Sequence, residues 1–116
     1  MTYTKESVRH SAKAGDITLT YYEAGPDAQP SQVGGGLGAS AWSNFGRALP
    51  HFAATFRTLL VDQPGFGGSD KPPVVGNYYR HAADYVVRLL DELGIERVHL
   101  LGNSLGGGTA MRLALS

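Results

Sequence analysis

The chain has 116 residues, and its ten Lys and Arg residues balance ten Asp and Glu residues, so the formal net charge is zero. A chain without excess positive charge exerts no long-range attraction on nucleic acid or on an anionic lipid surface. The absence of cysteine excludes a disulfide framework and a thiolate metal site. No apolar run approaches the ~18 residues that span a bilayer, and the first ten residues carry no apolar leader segment. We predict a cytoplasmic protein with a small, neutral or weakly charged partner.

The first third of the chain predicts the antiparallel opening of a sheet. Residues 17–22 alternate and are rich in β-branched and aromatic side chains, which is typical of a half-buried strand, and residues 14–16 predict a turn from an earlier strand. A loop is expected over 25–31. Residues 30–33 are too few for a full strand, since a strand needs about five residues. The glycine cluster at 34–38 is predicted to be a loop.

Helices and buried strands alternate in the rest of the chain. Apolar side chains recur at helical spacing within 41–56, although Pro50 is expected to break or restart that helix. Residues 58–61 form a short, continuously apolar segment that is typical of a strand buried on both faces. An apolar stripe predicts a helix over 78–93. A second buried strand is expected over 98–101.

This order of elements defines a fold class. A helix is predicted to begin at 105, directly after the last strand, so strand, loop and helix repeat along the chain. The repeat predicts an α/β fold with a mostly parallel sheet, whose ligands bind beyond the carboxyl ends of the strands. No shift in composition divides residues 1–116, and we predict a single domain. Three glycine clusters are expected to converge on one sheet edge, at 34–38, 65–68 and 102–108.

A serine between two glycines follows the last predicted strand. The segment 102–106 matches G-x-S-x-G, in which a strained strand-to-helix turn presents a nucleophilic serine at the top of a sheet. We therefore predict Ser104 as a nucleophile. The backbone N–H of Leu105 begins a helix, where unpaired amides and the helix dipole favour negative charge, and we predict it as an oxyanion-hole donor.

Asp62 ends the first buried strand and has two interpretations. A carboxylate at this edge could serve as a catalytic acid, whereas an Asp that opens a glycine-rich turn commonly accepts hydrogen bonds from the turn backbone. We favour the second interpretation. The four histidines all precede the serine and are interpreted as surface or packing residues, at positions 10, 51, 81 and 99.

Three motifs in order resemble the α/β-hydrolase superfamily and, within it, the meta-cleavage-product hydrolases. They lie at 34–45, 61–70 and 102–107, and the Trp-Ser-Asn after the glycines and the Asn before the serine are the subfamily cues. The resemblance runs from about Asp16 to the last residue. It implies the N-terminal portion of an α/β-hydrolase fold, with the cap region and the C-terminal part absent.

The resemblance also implies a reaction. Meta-cleavage-product hydrolases hydrolyse a carbon–carbon bond in 2-hydroxy-6-oxo-dienoates, which arise by ring opening of aromatic compounds or degraded steroids. They use no metal or organic cofactor, and their full-length forms are expected to be homo-oligomers. By this resemblance the backbone N–H of Gly35 is the second oxyanion donor. The substrate contacts implied are Gly34, Gly36, Asn44 and Asn103.

Two other functions are consistent with the sequence, because it departs from the family pattern and lacks expected catalytic residues. In this superfamily the catalytic acid and base come after the serine, and no Asp, Glu or His follows Ser104. The 116-residue chain alone is therefore predicted to be inactive, and a truncated, non-catalytic fold remnant or binding module is an alternative. An ordinary esterase or a haloperoxidase-like hydrolase is a further one. Val33 and Leu37 stand where the family pattern has a histidine and a proline.

Overall fold

The computed structural model describes residues 3–26, 33–38, 40–74 and 76–115. These ranges contain five helices and five strands. In chain order they are α1 (Lys5–Val8), β1 (Arg9–Ala14), β2 (Ile17–Ala24), β3 (Val33–Gly38), α2 (Ala41–Phe45), α3 (Leu49–Ala53), β4 (Arg57–Asp62), α4 (Tyr78–Glu92), β5 (His99–Gly102) and α5 (Leu105–Ala114). Across these described ranges, no helix is both long and apolar enough to cross a membrane.

The five strands form one mixed sheet in the order β1-β2-β4-β3-β5. Strands β1 and β2 are an antiparallel hairpin, and Gly15 adopts a φ of 70° at its turn, a left-handed conformation that glycine adopts without strain. Strand β2 pairs antiparallel with β4, whereas β3 pairs parallel with both β4 and β5. The predicted α/β class and the antiparallel opening are confirmed, and parallel pairing is confined to β3, β4 and β5.

Two apolar clusters cover the two faces of the sheet. Side chains of a strand alternate between faces, so the neighbours Leu59 and Leu60 of β4 belong to different clusters. Leu59 packs with Val86 and Leu89 of α4, while Leu60 packs with Phe45 of α2. Because both faces of β4 are covered, the strand is buried along almost its whole length, as its continuous apolar run predicted.

The predicted helices are confirmed, except that one of them is divided into two. The segment 41–56 forms two short helices, α2 and α3, and Pro50 lies in the first turn of α3, where its missing N–H costs no intrahelical bond. Helix α4 begins after Asn77, whose side chain accepts a hydrogen bond from the N–H of Arg80 at 3.2 Å. It ends before Gly94, which has a φ of +71°. The side-chain cap and the glycine explain why these boundaries were predictable.

The glycine cluster at 34–38 corrects the sequence prediction, because it is a strand and not a loop. Val33–Gly38 is the internal strand β3, in register with Arg57–Asp62 on one side and, over 34–37, with His99–Gly102 on the other. Glycine disfavours strands because it has no side chain to pack. Two flanking backbone ladders override that preference here, since ladder hydrogen bonds need no side chain. Of the predicted short strand, only Val33 is described, and residues 27–32 lie outside the described ranges.

Candidate functional site

The turn between β5 and α5 holds Ser104 in a strained conformation. Ser104 has a φ of 55° and a ψ of −114°, and it is the only non-glycine residue with a positive φ in the described part of the chain. Such conformations cost ~1–3 kcal/mol and persist only where the surrounding structure enforces them. The serine therefore lies where the G-x-S-x-G pattern predicted a strained turn.

The two glycines of this pattern are required by close backbone contacts. A Cβ atom on Gly102 would collide with the carbonyl oxygen of Gly106, the second residue of α5. A Cβ atom on Gly106 would collide with the carbonyl oxygen of Leu37 in β3. The start of α5 thus lies directly against the ends of β5 and β3, which leaves no room for a side chain at either position.

Two asparagines meet beside Ser104, although they are 59 positions apart. The Nδ2 atom of Asn103 donates to Oδ1 of Asn44 at 2.6 Å, and Nδ2 of Asn44 donates to the carbonyl oxygen of Ser40 at 2.8 Å. The backbone N–H of Asn103 donates to the carbonyl oxygen of Leu37 at 3.4 Å. These bonds join α2, the end of β3 and the turn at Ser104 into one polar cluster at the carboxyl edge of the sheet.

The first N–H of α5 lies next to this cluster. Leu105 is the first residue of a ten-residue helix, where a backbone N–H has no intrahelical acceptor. The backbone hydrogen bonds of the turn begin one residue later, with the N–H of Gly106 donating to the carbonyl oxygen of Asn103 at 2.9 Å. The structure therefore brings together four of the predicted site residues, namely Asn44, Asn103, Ser104 and Leu105.

The structure does not bring the predicted glycines to this place. Gly35 lies in the middle of β3, in register with Leu59 and Leu100, so its backbone N–H faces a ladder of a neighbouring strand. It precedes Gly38 by three residues, or about 10 Å of strand. The predicted oxyanion role of Gly35 and the predicted substrate contacts of Gly34 and Gly36 are thus unsupported by their placement.

These glycines line an apolar cavity instead. It has a volume of about 290 Å³ and lies on the sheet face covered by α2 and α3, with Phe45, Phe52 and Phe56 among its lining residues. The ring of Phe45 lies over Gly36, since a Cβ atom on that glycine would come within 2.8 Å of it.

The carboxylate of Asp62 is a buried hydrogen-bond acceptor. The sequence indicated its position at the end of a strand but not its contact with the start of α2. Its side chain is 1% exposed, and it accepts from the N–H of Ala41 at 2.8 Å and from the N–H of Gly68 at 3.0 Å. The interpretation of Asp62 as a turn residue is confirmed. The same turn is held on α4 by Tyr78, whose hydroxyl donates to the carbonyl oxygen of Pro64 at 2.8 Å, and burial raises the pKa of Tyr78 to about 12.

Each histidine packs against an aromatic ring. The ring pairs are His10 with Tyr21, His51 with Phe52, His81 with Tyr85 and His99 with Phe56. Their centroid separations run from 5.1 to 6.0 Å. Among the residues that the structure describes, no three His, Asp or Glu side chains are grouped so that they could hold a metal ion.

The buried side chain of Gln63, next to Asp62, provides a test of packing below the carboxyl edge of the sheet. Its side chain is fully buried, and neither amide atom has a hydrogen-bond partner among the described residues. Burying an unpaired polar group costs ~1–3 kcal/mol, whereas an apolar group of similar shape avoids that cost. We expect Gln63→Met to raise the free energy of unfolding by about 1 kcal/mol in urea denaturation. Gln63→Glu, which buries a charge at the same place, is the control and should lower it. A less stable Met variant would contradict the prediction.

The fold and this turn define a class of protein: a sheet with parallel central strands whose carboxyl edge carries a strained serine between a strand and a helix. The family model for the alpha/beta hydrolase fold matches residues 33–116. The chain belongs to the α/β-hydrolase family.

Its relatives narrow the comparison further. The chain is 40% identical over 116 residues to the 2-hydroxy-6-oxononadienedioate/2-hydroxy-6-oxononatrienedioate hydrolase of Paraburkholderia xenovorans. The aligned region covers 97% of this chain and 40% of the relative. It is 43% identical over 102 residues to the 2-hydroxy-6-oxo-6-phenylhexa-2,4-dienoate hydrolase of Comamonas testosteroni, covering 86% of this chain and 36% of the relative. As the motifs predicted, the chain resembles meta-cleavage-product hydrolases.

Solved structures agree with this assignment. The 2-hydroxy-6-oxo-6-phenylhexa-2,4-dienoate hydrolase from Rhodococcus sp. strain RHA1 matches with a TM-score of 0.79 and 25% identity, covering 93% of this chain and 41% of that one. A meta-cleavage product hydrolase from Pseudomonas fluorescens matches with a TM-score of 0.79 and 29% identity, covering 91% of this chain and 39% of that one. The chain therefore spans about 40% of the length of these proteins.

Proposed function

We propose that this chain carries the nucleophile-bearing part of a hydrolase that cleaves a carbon–carbon bond in 2-hydroxy-6-oxo-dienoates from aromatic or steroid ring cleavage. The observation that carries the proposal is the strained Ser104 beside the paired amides of Asn44 and Asn103. Those two asparagines distinguish the proposal from a generic serine hydrolase, because they add amide donors and acceptors for a polar substrate end. A cytoplasmic location and homo-oligomers of the full-length protein belong to the same proposal.

The chemistry assigns one role to each residue. Ser104 attacks the ketone carbon, and the N–H of Leu105 donates to the oxygen that becomes negative, an interaction of the kind whose loss costs ~3 kcal/mol of transition-state stabilisation. The Nδ2 group of Asn103 uses one of its two hydrogens on Asn44, so its other hydrogen and its Oδ1 atom remain for the enol or carboxylate end of the substrate. Asn44 and Asn103 lie at the carboxyl edge of the sheet, and this supports the proposal because ligands of α/β folds bind beyond that edge.

Ser104 also requires a base and an acid. A serine hydroxyl is a weak nucleophile at neutral pH until a histidine, oriented by a carboxylate, accepts its proton. In α/β-hydrolases both partners follow the serine in sequence, and residues 105–116 contain no such side chain. We therefore propose that the base and the acid belong to a part of the fold that the longer relatives contain.

Two alternatives have their own support. A non-catalytic remnant or binding module is favoured by two observations. No Asp, Glu or His follows Ser104 in this sequence, and residues 34–38 form strand β3 where the family resemblance predicted a loop. An esterase or haloperoxidase-like hydrolase would use the same strained Ser104, because acyl transfer needs the same nucleophile and oxyanion donors. The three hypotheses differ in which substrate is turned over.

A fusion protein separates these hypotheses. Residues 1–116 are joined to the part of the Paraburkholderia xenovorans relative that lies beyond the region of 40% identity, where the proposal expects the acid and base. The fusion and the 116-residue chain are each assayed for loss of a chromogenic 2-hydroxy-6-oxo-dienoate and for hydrolysis of a p-nitrophenyl ester. We expect the fusion to cleave the dienoate and the chain alone to cleave neither substrate.

Other outcomes would contradict the proposal in distinct ways. A fusion that hydrolyses the ester but not the dienoate would indicate an esterase. A fusion with cooperative unfolding and no turnover of either substrate would favour the non-catalytic remnant. Turnover of the dienoate by the 116-residue chain alone would refute the proposed need for an acid and base outside it.

A further inference from the structure

We propose that Asp62 is the positioning residue of this site, because its carboxylate fixes the first residue of α2 and thereby holds Asn44 against Asn103 beside Ser104. The functional part of this inference rests on the proposed function. Its structural part concerns only how α2 is held, and the two parts are tested separately.

Helix α2 depends on an external acceptor at its N-terminus. It has only five residues, and a helix this short has too few internal bonds to be stable alone. Its N-cap residue, Ser40, makes no side-chain cap, since the Ser40 hydroxyl lies 3.1 Å from the hydroxyl of Ser43. The N–H of Ala41 instead donates at 2.8 Å to Oδ1 of Asp62, from the end of β4. A carboxylate from another element thus takes the place of the missing cap.

The second oxygen of Asp62 holds the carboxylate still. Its Oδ2 atom accepts from the N–H of Gly68 at 3.0 Å, and the backbone carbonyl of Asp62 accepts from the hydroxyl of Ser69 at 2.6 Å. The turn closes tightly around the carboxylate: Gly67 has a φ of 54°, and a Cβ atom there would collide with it. Because both oxygens are used and the side chain is buried, the carboxylate has one orientation, and the start of α2 is fixed with it.

The hydrogen bond from Ala41 to Asp62 fixes the position of Asn44, because one helical turn connects Ala41 and Asn44. Asn44 lies three residues after Ala41, and its Nδ2 atom bonds the carbonyl oxygen of Ser40, directly before the anchored residue. The Oδ1 atom of Asn44 then accepts from Asn103, the neighbour of Ser104. A shift at the start of α2 therefore moves the amide that contacts the catalytic turn.

The structural part is tested in the 116-residue chain with Asp62→Asn. One oxygen becomes an NH₂ group, which cannot accept a backbone N–H, so one end of the link is lost. Trp42, the only tryptophan, lies in α2 with its ring 5.5 Å from that of Tyr22, so its quenching by acrylamide reports the docking of α2. We expect the quenching constant to rise at least about twofold, since losing one end of the link exposes the Trp42 ring.

Asp70→Asn is the matched control. Asp70 belongs to the same turn and also accepts a backbone hydrogen bond, from Thr18 of β2 at 2.8 Å, but it does not contact α2. One amide oxygen can still accept this single bond, so the variant should keep both its stability and its quenching constant. Equal quenching constants in the two variants would overturn the structural part. If Asp62→Asn does not fold, Ala41→Pro removes the donor instead, and Ser40, with φ −122° and ψ 105°, already has the extended backbone that precedes proline.

The functional part is tested in the fusion protein by a double-mutant cycle. Misplacement of a substrate-contacting group by about 1 Å can cost ~100-fold in rate, so we expect Asp62→Asn to lower kcat/KM for the dienoate by about 10- to 100-fold. In an Asn44→Ala background the same substitution should have almost no effect, because Asp62 acts through Asn44. An equal loss in both backgrounds would overturn the positioning role. An unmutated fusion that is inactive on the dienoate would refute the proposed function, while the quenching result would still decide the anchor.

Discussion

Replacement of Ser104 by alanine is expected to lower kcat of the fusion protein on the dienoate by at least ~10³-fold, since the proposed reaction then loses its nucleophile and only binding and oxyanion donors remain. The substitution removes one oxygen from the strained turn and leaves its backbone contacts in place. Stopped-flow decay of the dienoate chromophore measures the loss, and circular dichroism checks that the fold is retained.

Two variants make this result specific. Ser11→Ala alters an exposed serine on β1, away from the catalytic edge, and should leave kcat unchanged. Ser104→Gly should be as inactive as Ser104→Ala but more stable by about 1 kcal/mol, because glycine tolerates the φ of 55° that strains serine. Retention of more than a tenth of the activity by Ser104→Ala would refute its role as nucleophile. A less stable glycine variant would show that the turn is not strained by its serine.

The largest effect on stability is expected for Gly106→Ala. A Cβ atom at this position has no space, because it would collide with the backbone carbonyl of Leu37 in β3. Backbone cannot yield as a flexible side chain does, so α5 would have to move away from β3 and break the polar cluster at Asn103. Overpacking costs 1–3 kcal/mol and occasionally more, and we expect about 3 kcal/mol here, measured by urea denaturation of the 116-residue chain.

Gly107→Ala is the control one residue along the same helix. A Cβ atom there lies 3.7 Å from the nearest atom, the carbonyl oxygen of Gly102, which is an ordinary contact. Since alanine is a better helix former than glycine, this variant should gain up to ~1 kcal/mol of stability. Opposite signs for two neighbouring Gly→Ala substitutions would be the signature of the close packing. Similar losses at both positions would contradict it and would point to a general need for chain flexibility in α5.

Several features of this protein were predictable because their causes are local. The continuous apolar run of β4 needs only its own composition to indicate a strand buried on both faces. The start of α4 depends on the side chain of Asn77, three residues from its partner. The strained turn at Ser104 is encoded by the two flanking glycines, which the sequence displays as a five-residue pattern.

Long-range contacts decided the rest. The strand at 34–38 could not be predicted, because its stability comes from hydrogen-bond ladders with β4 and β5. These strands begin at Arg57 and His99, which lie 23 and 65 positions after Gly34. The cluster of Asn44 with Asn103, and the anchor from Asp62 to Ala41, likewise join residues 59 and 21 positions apart. The sequence by itself determined the α/β class and the strained serine, since short-range sterics and periodicity control both. Only the tertiary structure decided which backbone and amide groups surround that serine, because partners from separate strands and helices meet only when the sheet has formed.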